Sequence, residues 1–247
     1  MRIEDGLYTA AASGRMLDHD MDAVTENLAN VATPGFKRLR PAAQASPFAH
    51  VLADATTAVP LPADPMTGRD WTHGPLDSTG SPFDVALGSD AFLQIKTPDG
   101  TRYTRDGRMQ LDKDGTLVRL TGEPVLDTRG SEIHVPAGKP TIKADGTLLV
   151  DGSEVAQIGA VDIADRSQLT SEGEGRYRLA SPDSSASSGA QPSAAPQFLQ
   201  GQIEGSNVSA PRALVDMIEV SRSYESVIHA IKTLDGMLGR ATASHGG

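Results

Sequence analysis

The chain of 247 residues contains no cysteine. It therefore has no disulfide, no thiolate ligand for zinc or an iron–sulfur cluster, and no cysteine nucleophile. Aromatic residues make up only 4% and hydrophobic residues 38%, whereas there are 25 Gly and 16 Pro. This composition favours short elements joined by many turns over a large packed enzyme. The length is sufficient for one or two domains.

Positive charge and long apolar runs are also scarce. The chain has 22 basic and 32 acidic side chains, for a net charge of -10, which argues against a nucleic-acid partner. No apolar run approaches the roughly 18 residues that a membrane-spanning helix needs. The first residues lack the basic start and apolar segment of a cleaved signal peptide. We therefore expect neither membrane insertion nor export by that route.

Sequence motifs that carry chemistry are missing as well. There is no phosphate-binding loop, nucleophile elbow or dinucleotide-binding fingerprint. The segment Asp112–Gly115 superficially resembles a calcium loop but lacks the other acidic positions, so a hairpin turn is favoured. We expect no catalytic residue, no cofactor and no metal site, although a soluble enzyme or ligand-binding module remains an alternative. The histidines show no metal-ligand spacing: His19, His50, His73, His134, His229 and His245.

The N-terminal region has the pattern of a coiled-coil helix. Between Leu7 and Val31 apolar or small residues recur at heptad spacing, and Thr33-Pro34-Gly35 ends the pattern. At 1.5 Å per residue this helix would be about 37 Å long, with an apolar stripe so narrow that it requires a partner helix. The stripe comprises Leu7, Ala10, Gly14, Leu17, Met21, Val24, Leu28 and Val31.

The C-terminal region supplies a second helix of the same kind. The period runs from Pro211 to Leu238, and Ser221 and Asp235 interrupt it. The pattern alone leaves open whether the two helices pair within one chain or also pack between subunits. The main apolar positions are Leu214, Met217, Tyr224, Ile228, Ile231 and Leu238.

The middle of the chain, from Gly80 to about Leu179, is typical of β structure. Alternation in Phe83–Leu87 and Phe92–Lys96 predicts half-buried strands. Asp-Gly dipeptides between short apolar runs predict tight antiparallel hairpins. They occur at Asp99-Gly100, Asp106-Gly107, Asp114-Gly115, Asp145-Gly146 and Asp151-Gly152.

These patterns predict an α+β fold, in which N- and C-terminal helices form a coiled-coil-type base and the centre is an antiparallel β-rich domain. Proline-rich residues 41–73 and serine-rich residues 181–196 are predicted linkers, the second a flexible excursion. The predicted division is an N-terminal helical assembly segment 1–36, an extended linker 37–79, a β-rich domain 80–200 and a C-terminal helical assembly segment 201–247.

Three stretches resemble the bacterial flagellar rod and hook proteins. The first combines Leu7-Tyr8-Thr9-Ala10 and Gly14 with Asn27-Leu28-Ala29-Asn30-Val31-Ala32-Thr33-Pro34-Gly35-Phe36-Lys37. The second comprises Pro82–Gly88, Tyr103–Gly107 and Gly115–Val118, and the third starts at Gly205-Ser206-Asn207-Val208. The chain departs from the pattern at Glu26, where many members have Asn, and at Ala91-Phe92-Leu93. The compact length and the residues 66–68 and 73–77 are most similar to the proximal rod subfamily, with the distal rod subfamily as the alternative.

The resemblance implies a subunit of the hollow helical rod in the periplasmic part of the flagellar basal body, which polymerises through its terminal helices into the drive shaft. It further implies export in unfolded form, with the flagellar type III export apparatus as a partner besides other copies and neighbouring rod proteins. Asn30, Pro34 and Gly35 would break the first helix and turn the chain outward, Phe36 would anchor the turn, and Asn207 would orient the start of the second helix. The implied assembly interface comprises Leu7, Leu17, Met21, Val24, Leu28, Asn30, Pro34, Gly35, Phe36, Asn207, Leu214, Met217, Tyr224, Ile228, Ile231 and Leu238.

Overall fold

A computed structural model of the chain describes residues 3–40, 68–180 and 189–244. The chain divides into two compact units. The helix unit comprises Met1–Val31, Arg38–Trp71 and Val208–Gly247, and the β-rich unit comprises Ala32–Lys37 and Thr72–Asn207. The short segment 32–37 therefore belongs to the β-rich unit although residues on both sides of it belong to the helix unit.

The helix unit contains α1 (Ile3–Ala29) and α2 (Ala210–Ser244), which pack against each other. A Cβ atom at Gly14 would lie 4.0 Å from Cγ1 of Val227, so the small residue marks a close approach of the two helices. Two short strands, β1 (Leu39–Arg40) and β2 (Gly68–Arg69), pair antiparallel in the same unit. Both terminal helices predicted from the heptad patterns are thus confirmed.

Both helices differ slightly from their predicted bounds. Residue Ala29 ends α1, and the amide of Asn30 still donates to the Glu26 carbonyl at 3.1 Å before the chain turns. Helix α2 starts one residue before Pro211, where the amide of Ala213 donates to the Ser209 carbonyl at 2.9 Å, and it continues past Leu238 to Ser244.

The described residues of the β-rich unit form short antiparallel strands and one 3₁₀ helix at Arg166–Gln168. Its strands are β3 (Leu76–Ser78), β4 (Val85–Leu87), β5 (Phe92–Thr97), β6 (Gly100–Thr104), β7 (Met109–Leu111), β8 (Leu117–Arg119), β9 (Pro140–Ile142), β10 (Thr147–Val150), β11 (Ser153–Gln157), β12 (Ala160–Ile163), β13 (Leu169–Ser171), β14 (Arg176–Leu179), β15 (Ala190–Pro192), β16 (Phe198–Gln200) and β17 (Gln202–Glu204).

The largest sheet of the described residues has six strands in the order β13-β14-β6-β5-β12-β15. A second sheet has the order β11-β10-β9, and three further pairs join β16 to β4, β17 to β3 and β7 to β8. The predicted antiparallel β-rich domain is therefore confirmed. Its apolar core comprises residues from most of these strands, among them Leu87, Leu93, Ile95, Leu117, Val125, Ile133, Leu148, Ile158 and Phe198.

Four of the five Asp-Gly dipeptides form the predicted hairpins, which join β5 to β6, β7 to β8, β9 to β10 and β10 to β11. The prediction is wrong for Asp106-Gly107, which connects strands of different sheets. Gly107 instead allows a close backbone approach: its carbonyl accepts a hydrogen bond from the Val85 amide at 3.0 Å, and a Cβ there would collide with the Val85 carbonyl oxygen.

Two other predictions about the middle of the chain need correction. Strand β4 is buried on both faces rather than half-buried, because Ala86 is as fully covered as Val85 and Leu87 on either side of it. In the serine-rich stretch, residues 181–188 lie outside the described residues. Residues 190–192 form β15, an ordered strand at the edge of the six-stranded sheet, because β12 supplies its backbone partners. Residues 41–67 of the proline-rich stretch also lie outside the described residues.

Candidate assembly interface

The predicted apolar stripe of α1 lies on one face of that helix. Val24 is buried, and Leu17, Met21 and Leu28 are half-buried. The side chain of Leu7 is not among those described. The opposite face is polar and exposed, with Asp18, His19, Asp22 and Thr25. Because the stripe is covered only in part, most of its large side chains still have surface to bury.

Helix α2 leaves more of its apolar surface uncovered. Of the predicted residues, Met217, Ile228 and Ile231 are half-buried, whereas Leu214 and Tyr224 are 49% and 37% exposed. Sequence reasoning gave no interface role to Val215 and Ile218, which are both 53% exposed. Leu214, Val215 and Ile218 lie within about one turn of each other, and we name them the α2 patch. The side chain of Leu238 is not described.

Two asparagines arrange the chain at the end of α1. The side-chain nitrogen Nδ2 of Asn30 donates a hydrogen bond to the Glu26 carbonyl at 2.9 Å, in addition to the bond from its backbone amide. It thereby helps to satisfy a carbonyl of the last helical turn. The buried side chain of Asn27 makes two hydrogen bonds to the backbone of Leu39. Its Nδ2 donates to the Leu39 carbonyl at 2.9 Å, and its Oδ1 accepts from the Leu39 amide at 2.7 Å. Asn27 was part of the recognised motif but had no assigned role. Its two bonds fix β1 to the end of α1.

The turn that follows α1 requires glycine at position 35. Gly35 has a φ of 69°, and a Cβ atom there would lie 2.6 Å from the carbonyl carbon of Arg105. Its amide donates to the Glu204 carbonyl at 2.7 Å. Pro34 beside it is half-buried, and Phe36 is buried. The turn is thereby seated on the backbone of two distant parts of the β-rich unit.

A buried carboxylate holds the same turn through side chains. Glu204 Oε1 accepts from Lys37 Nζ at 2.6 Å and from the Gly74 amide at 3.0 Å. Glu204 Oε2 accepts from Arg105 Nε at 2.9 Å and from Arg105 Nη2 at 2.6 Å. The three charged side chains are at most 2% exposed. Bonds of this kind, with both partners charged, are among the strong ones in proteins.

One backbone carbonyl completes this arrangement. The carbonyl oxygen of Thr72 accepts from Lys37 Nζ at 2.7 Å and from Asn207 Nδ2 at 2.9 Å. The Asn207 amide donates to the Phe36 carbonyl at 3.3 Å. We call Lys37, Thr72, Arg105, Glu204 and Asn207 the junction. Sequence reasoning singled out Asn207 but missed the other four, although Lys37 and Arg105 stand inside recognised motifs and Glu204 precedes a third.

The charges of the junction reinforce one another. Burial alone would raise the pKa of Glu204, but the charges and hydrogen bonds of Arg105 and Lys37 outweigh it and hold that pKa below its ordinary value. Burial lowers the pKa of Lys37, and the Glu204 charge offsets part of this effect. The ionised form of Glu204 is therefore the form that the folded junction prefers.

His73 extends the network to the surface. Its Nδ1 lies 3.0 Å from Arg105 Nη2, and because a guanidinium only donates, Nδ1 accepts and the ring proton is on Nε2. Nε2 faces Asp90 Oδ1 at 3.1 Å. A hydrogen bond from Arg166 lowers the pKa of Asp90. The network thus ends in the ion pair between Asp90 and Arg166, 2.9 Å apart at the surface.

The described residues contain no group of three or more histidine, aspartate or glutamate side chains placed to hold a metal ion. Neither described helix is both long enough and apolar enough to cross a membrane.

Comparison with known proteins identifies the family. Residues 199–244 match the model of the flagellar basal-body rod FlgEFG protein C-terminal region, and residues 86–150 match that of the flagellar hook protein FlgE/F/G D1 domain. The flagellar basal-body rod protein FlgF of Escherichia coli is 34% identical over 250 residues, or 97% of both chains. The chain belongs to the flagellar basal-body rod protein family.

Other rod proteins extend this result. FlgF of Caulobacter vibrioides is 33% identical over 230 residues, or 91% of each chain. The rod protein FlgG of Buchnera aphidicola from Acyrthosiphon pisum is 32% identical over 246 residues, covering 89% of this chain and 91% of its own. The assignment from sequence to the rod and hook proteins is confirmed. The proximal rod subfamily that the sequence most resembles is that of FlgF, and this part of the assignment is confirmed as well. Membership of this structural family also argues against an enzyme.

Proposed function

We propose that this rod-family chain is a structural subunit of the flagellar basal-body rod and polymerises through α1 and α2. The observation that carries the proposal is the α2 patch, whose three large apolar side chains are about half exposed in the single chain. Fully burying one such side chain contributes about 1.5 to 3 kcal/mol. Exposing an apolar patch of this kind to water costs free energy, and contact with a neighbouring subunit removes that cost.

The two helices use different faces to pack against each other and against neighbouring subunits. Helix α1 packs on α2 within the chain, where Val24 and Val227 are buried. The α2 patch leaves about half of its apolar surface uncovered, so it is available to another subunit. Intrachain pairing and packing between subunits are therefore compatible. In the assembled rod, we infer, the helices of neighbouring subunits complete a coiled-coil-type base.

The exposed charges of the helices support contacts between copies. The exposed charges of α1 include Arg15, Asp18 and Asp22, and those of α2 include Arg212, Arg222 and Lys232 beside Glu219, Glu225 and Asp235. Because both helices carry charges of both signs, ion pairs between helices of neighbouring copies would select the register in which they meet. Other copies of the chain and neighbouring rod proteins are the partners that this surface fits.

The remaining parts of the assignment follow from the family. We infer that the chain reaches the periplasmic rod through the flagellar type III export apparatus, in unfolded form. The absence of cysteine is compatible with this route, since no disulfide has to form or break on the way. Of the alternatives, the distal rod position remains compatible with the FlgG similarity, and no feature of the described residues favours an enzyme or a ligand-binding module.

The α2 patch can be tested with the double variant Leu214→Ser/Ile218→Ser. Because both side chains are half exposed in the free chain, we expect its thermal unfolding to be nearly unchanged while completed rods disappear from cells that carry only this variant. Val227→Ala is the matched control: it hollows the buried contact between α1 and α2 and lowers the free energy of unfolding of the helix unit by about 1 to 3 kcal/mol. Normal rods from the double variant would overturn the proposed use of this face.

A further inference from the structure

The junction lies where the chain passes between its two units. The chain crosses from one unit to the other four times, after residues 31, 37, 71 and 207. At three of these crossings the first or last residue of the β-rich segment belongs to the junction: Lys37, Thr72 and Asn207. At the remaining crossing, the segment that starts with Ala32 is fixed three residues later by the bond from the Gly35 amide to the Glu204 carbonyl.

Within the β-rich unit these crossings come together at two groups of atoms. The Thr72 carbonyl oxygen accepts hydrogen bonds from Lys37 and from Asn207. One oxygen atom therefore connects the residues at three of the four crossings. Glu204 binds Lys37 with its side chain and Gly35 with its backbone, and Arg105 ties Glu204 to the strands of the unit through the carbonyls of Leu87, Ser89 and Ala91. The crossings are thus anchored to the folded β strands through one carboxylate.

We propose that Glu204 and Lys37 are positioning residues for rod assembly: the buried carboxylate and its lysine hold the four chain crossings at fixed places on the β-rich unit. Assembly through α1 and α2 then depends on the junction, because the segments that lead to both helices start from it. This inference rests on the proposed function, since positioning matters only if the helices enter a rod.

Other buried ions of the β-rich unit do not have this placement. Asp106 is also a nearly buried carboxylate with two arginine partners, Arg108 at 2.8 Å and Arg119 at 3.4 Å. Its side-chain oxygens bind Arg108 and Arg119 and none of the crossing residues. Asp106→Asn therefore removes the same charge from the same unit without removing a side-chain bond to a crossing residue, and it is the matched control for Glu204→Gln.

The absence of cysteine makes a direct measurement practicable. Spin labels are attached to cysteines placed at Ala32, the exposed first residue of the turn, and at Thr101, which is exposed on β6. The distance distribution between the labels is measured in the full-length free chain for the otherwise unchanged protein and for Glu204→Gln, Lys37→Met and Asp106→Asn. In a variant that keeps its fold, this distance reports position and not stability.

We expect a single narrow distance in the unchanged protein and in Asp106→Asn. In Glu204→Gln and Lys37→Met we expect a broad distribution, and the amides of Gly74 and Asn207 should exchange with solvent about tenfold faster or more. Lys37→Met keeps both bonds between Arg105 and Glu204, so it tests the proposal if Glu204→Gln fails to fold. Equal broadening in Asp106→Asn, or a narrow distance in Lys37→Met, would overturn the proposal.

Rod formation separates this inference from the function on which it rests. Cells that carry only Lys37→Met should export the subunit but assemble few or no rods, while Asp106→Asn assembles them normally. Normal rods despite a broad distance distribution in Lys37→Met would overturn the positioning role and leave the rod function intact. Absence of the unchanged protein from isolated rods would instead overturn the proposed function.

Discussion

The two units of the chain differ in where they keep their large apolar side chains. In the β-rich unit Leu93, Ile95 and Leu117 are fully buried within a core to which most strands contribute. In the helix unit Leu214 and Ile218 are about half exposed. The β-rich unit therefore has an extensive core of its own, although Leu76 and Leu120 are about half exposed there as well. Under the proposed function, the exposed apolar side chains of the helix unit are buried in the assembled rod, so that folding is concentrated in the β-rich unit and assembly in the helix unit.

The polar groups of the two units differ in the same sense. The β-rich unit buries Glu204 with Lys37 and Arg105, an arrangement that tolerates little change once its ions are desolvated. The helix unit uses neutral Asn27 to hold Leu39 and leaves most of its charges in water. Substitutions in the apolar core of the β-rich unit should thus affect mainly stability, and substitutions on the exposed apolar surface of the helix unit mainly assembly.

The largest separation of the two effects is expected for Met21→Asp. Met21 is half-buried on the apolar stripe of α1, and an ionised carboxylate buried there in a rod costs several kcal/mol. We expect rods to be absent while the thermal unfolding of the β-rich unit stays the same. Electron microscopy of isolated basal bodies and calorimetry of the free chain measure the two quantities.

A matched control for this variant is Thr25→Asp, which adds the same charge to the exposed face of α1. It should assemble much better than Met21→Asp. If both variants form normal rods, the apolar stripe has no part in assembly. If Met21→Asp lowers the unfolding temperature of the β-rich unit, the assignment of folding to one unit and assembly to the other is wrong.

A smaller effect is expected from two truncations that differ by six residues. Removal of residues 1–31 leaves the turn 32–37 and should yield a folded β-rich unit. Removal of residues 1–37 also deletes Lys37, so Glu204 keeps only Arg105 as a charged partner. Loss of this charged hydrogen bond, worth about 1.5 to 3 kcal/mol, together with the loss of buried Phe36, should lower the unfolding temperature by at least about 5 °C. Equal unfolding temperatures would show that the turn does not stabilise this unit.

The smallest effect is an opposite response of the units to acid. Burial raises the pKa of Asp20 on α1, so its ionised form destabilises the helix unit, and this cost disappears as the pH falls through the raised pKa. The pKa of Glu204 is lowered, so its contribution is present above the ordinary glutamate pKa and is lost as the pH falls through the lowered one. Amide exchange resolved by residue, measured from neutral pH to below pH 4, should show α1 gaining protection before the junction loses it.

Asp20→Asn removes the first of these responses. The variant should give α1 slightly more protection at neutral pH and leave the acid response of the junction unchanged. Acid protection of α1 that persists in Asp20→Asn would assign the effect to another group.

Local patterns predicted the elements, because the forces that form them act over a few residues. The heptad stripe through Leu17 and Val24 predicts α1, and four of the Asp-Gly dipeptides form hairpins since two neighbouring residues determine a tight turn. The same dipeptide at Asp106-Gly107 misled the prediction, because its glycine serves a close approach to Val85 from a distant part of the chain. No local signal distinguishes these two uses of glycine.

The junction lay beyond sequence reasoning for a related reason. Arg105 and Glu204 are 99 residues apart, and each looks like an ordinary surface charge in its own neighbourhood. The assembly face was predicted only in part, since a heptad shows which residues share a face but not whether this chain or another covers it. Leu214 was assigned to the interface on that basis, whereas the equally exposed Ile218 was not.

The separation of the two halves of the junction also determines when it can close. Lys37 and Glu204 are 167 residues apart, and bringing two such distant points of a chain together costs loop-closure entropy, which the pairing of the strands between them offsets. A chain that is exported unfolded, as we infer, folds only at its destination, so Lys37 and Glu204 meet there after those strands have paired. Glu204 stands six residues before the start of α2. Closure of the junction is consequently a late event of folding after export, and it fixes the segments that lead to both helices in the same step.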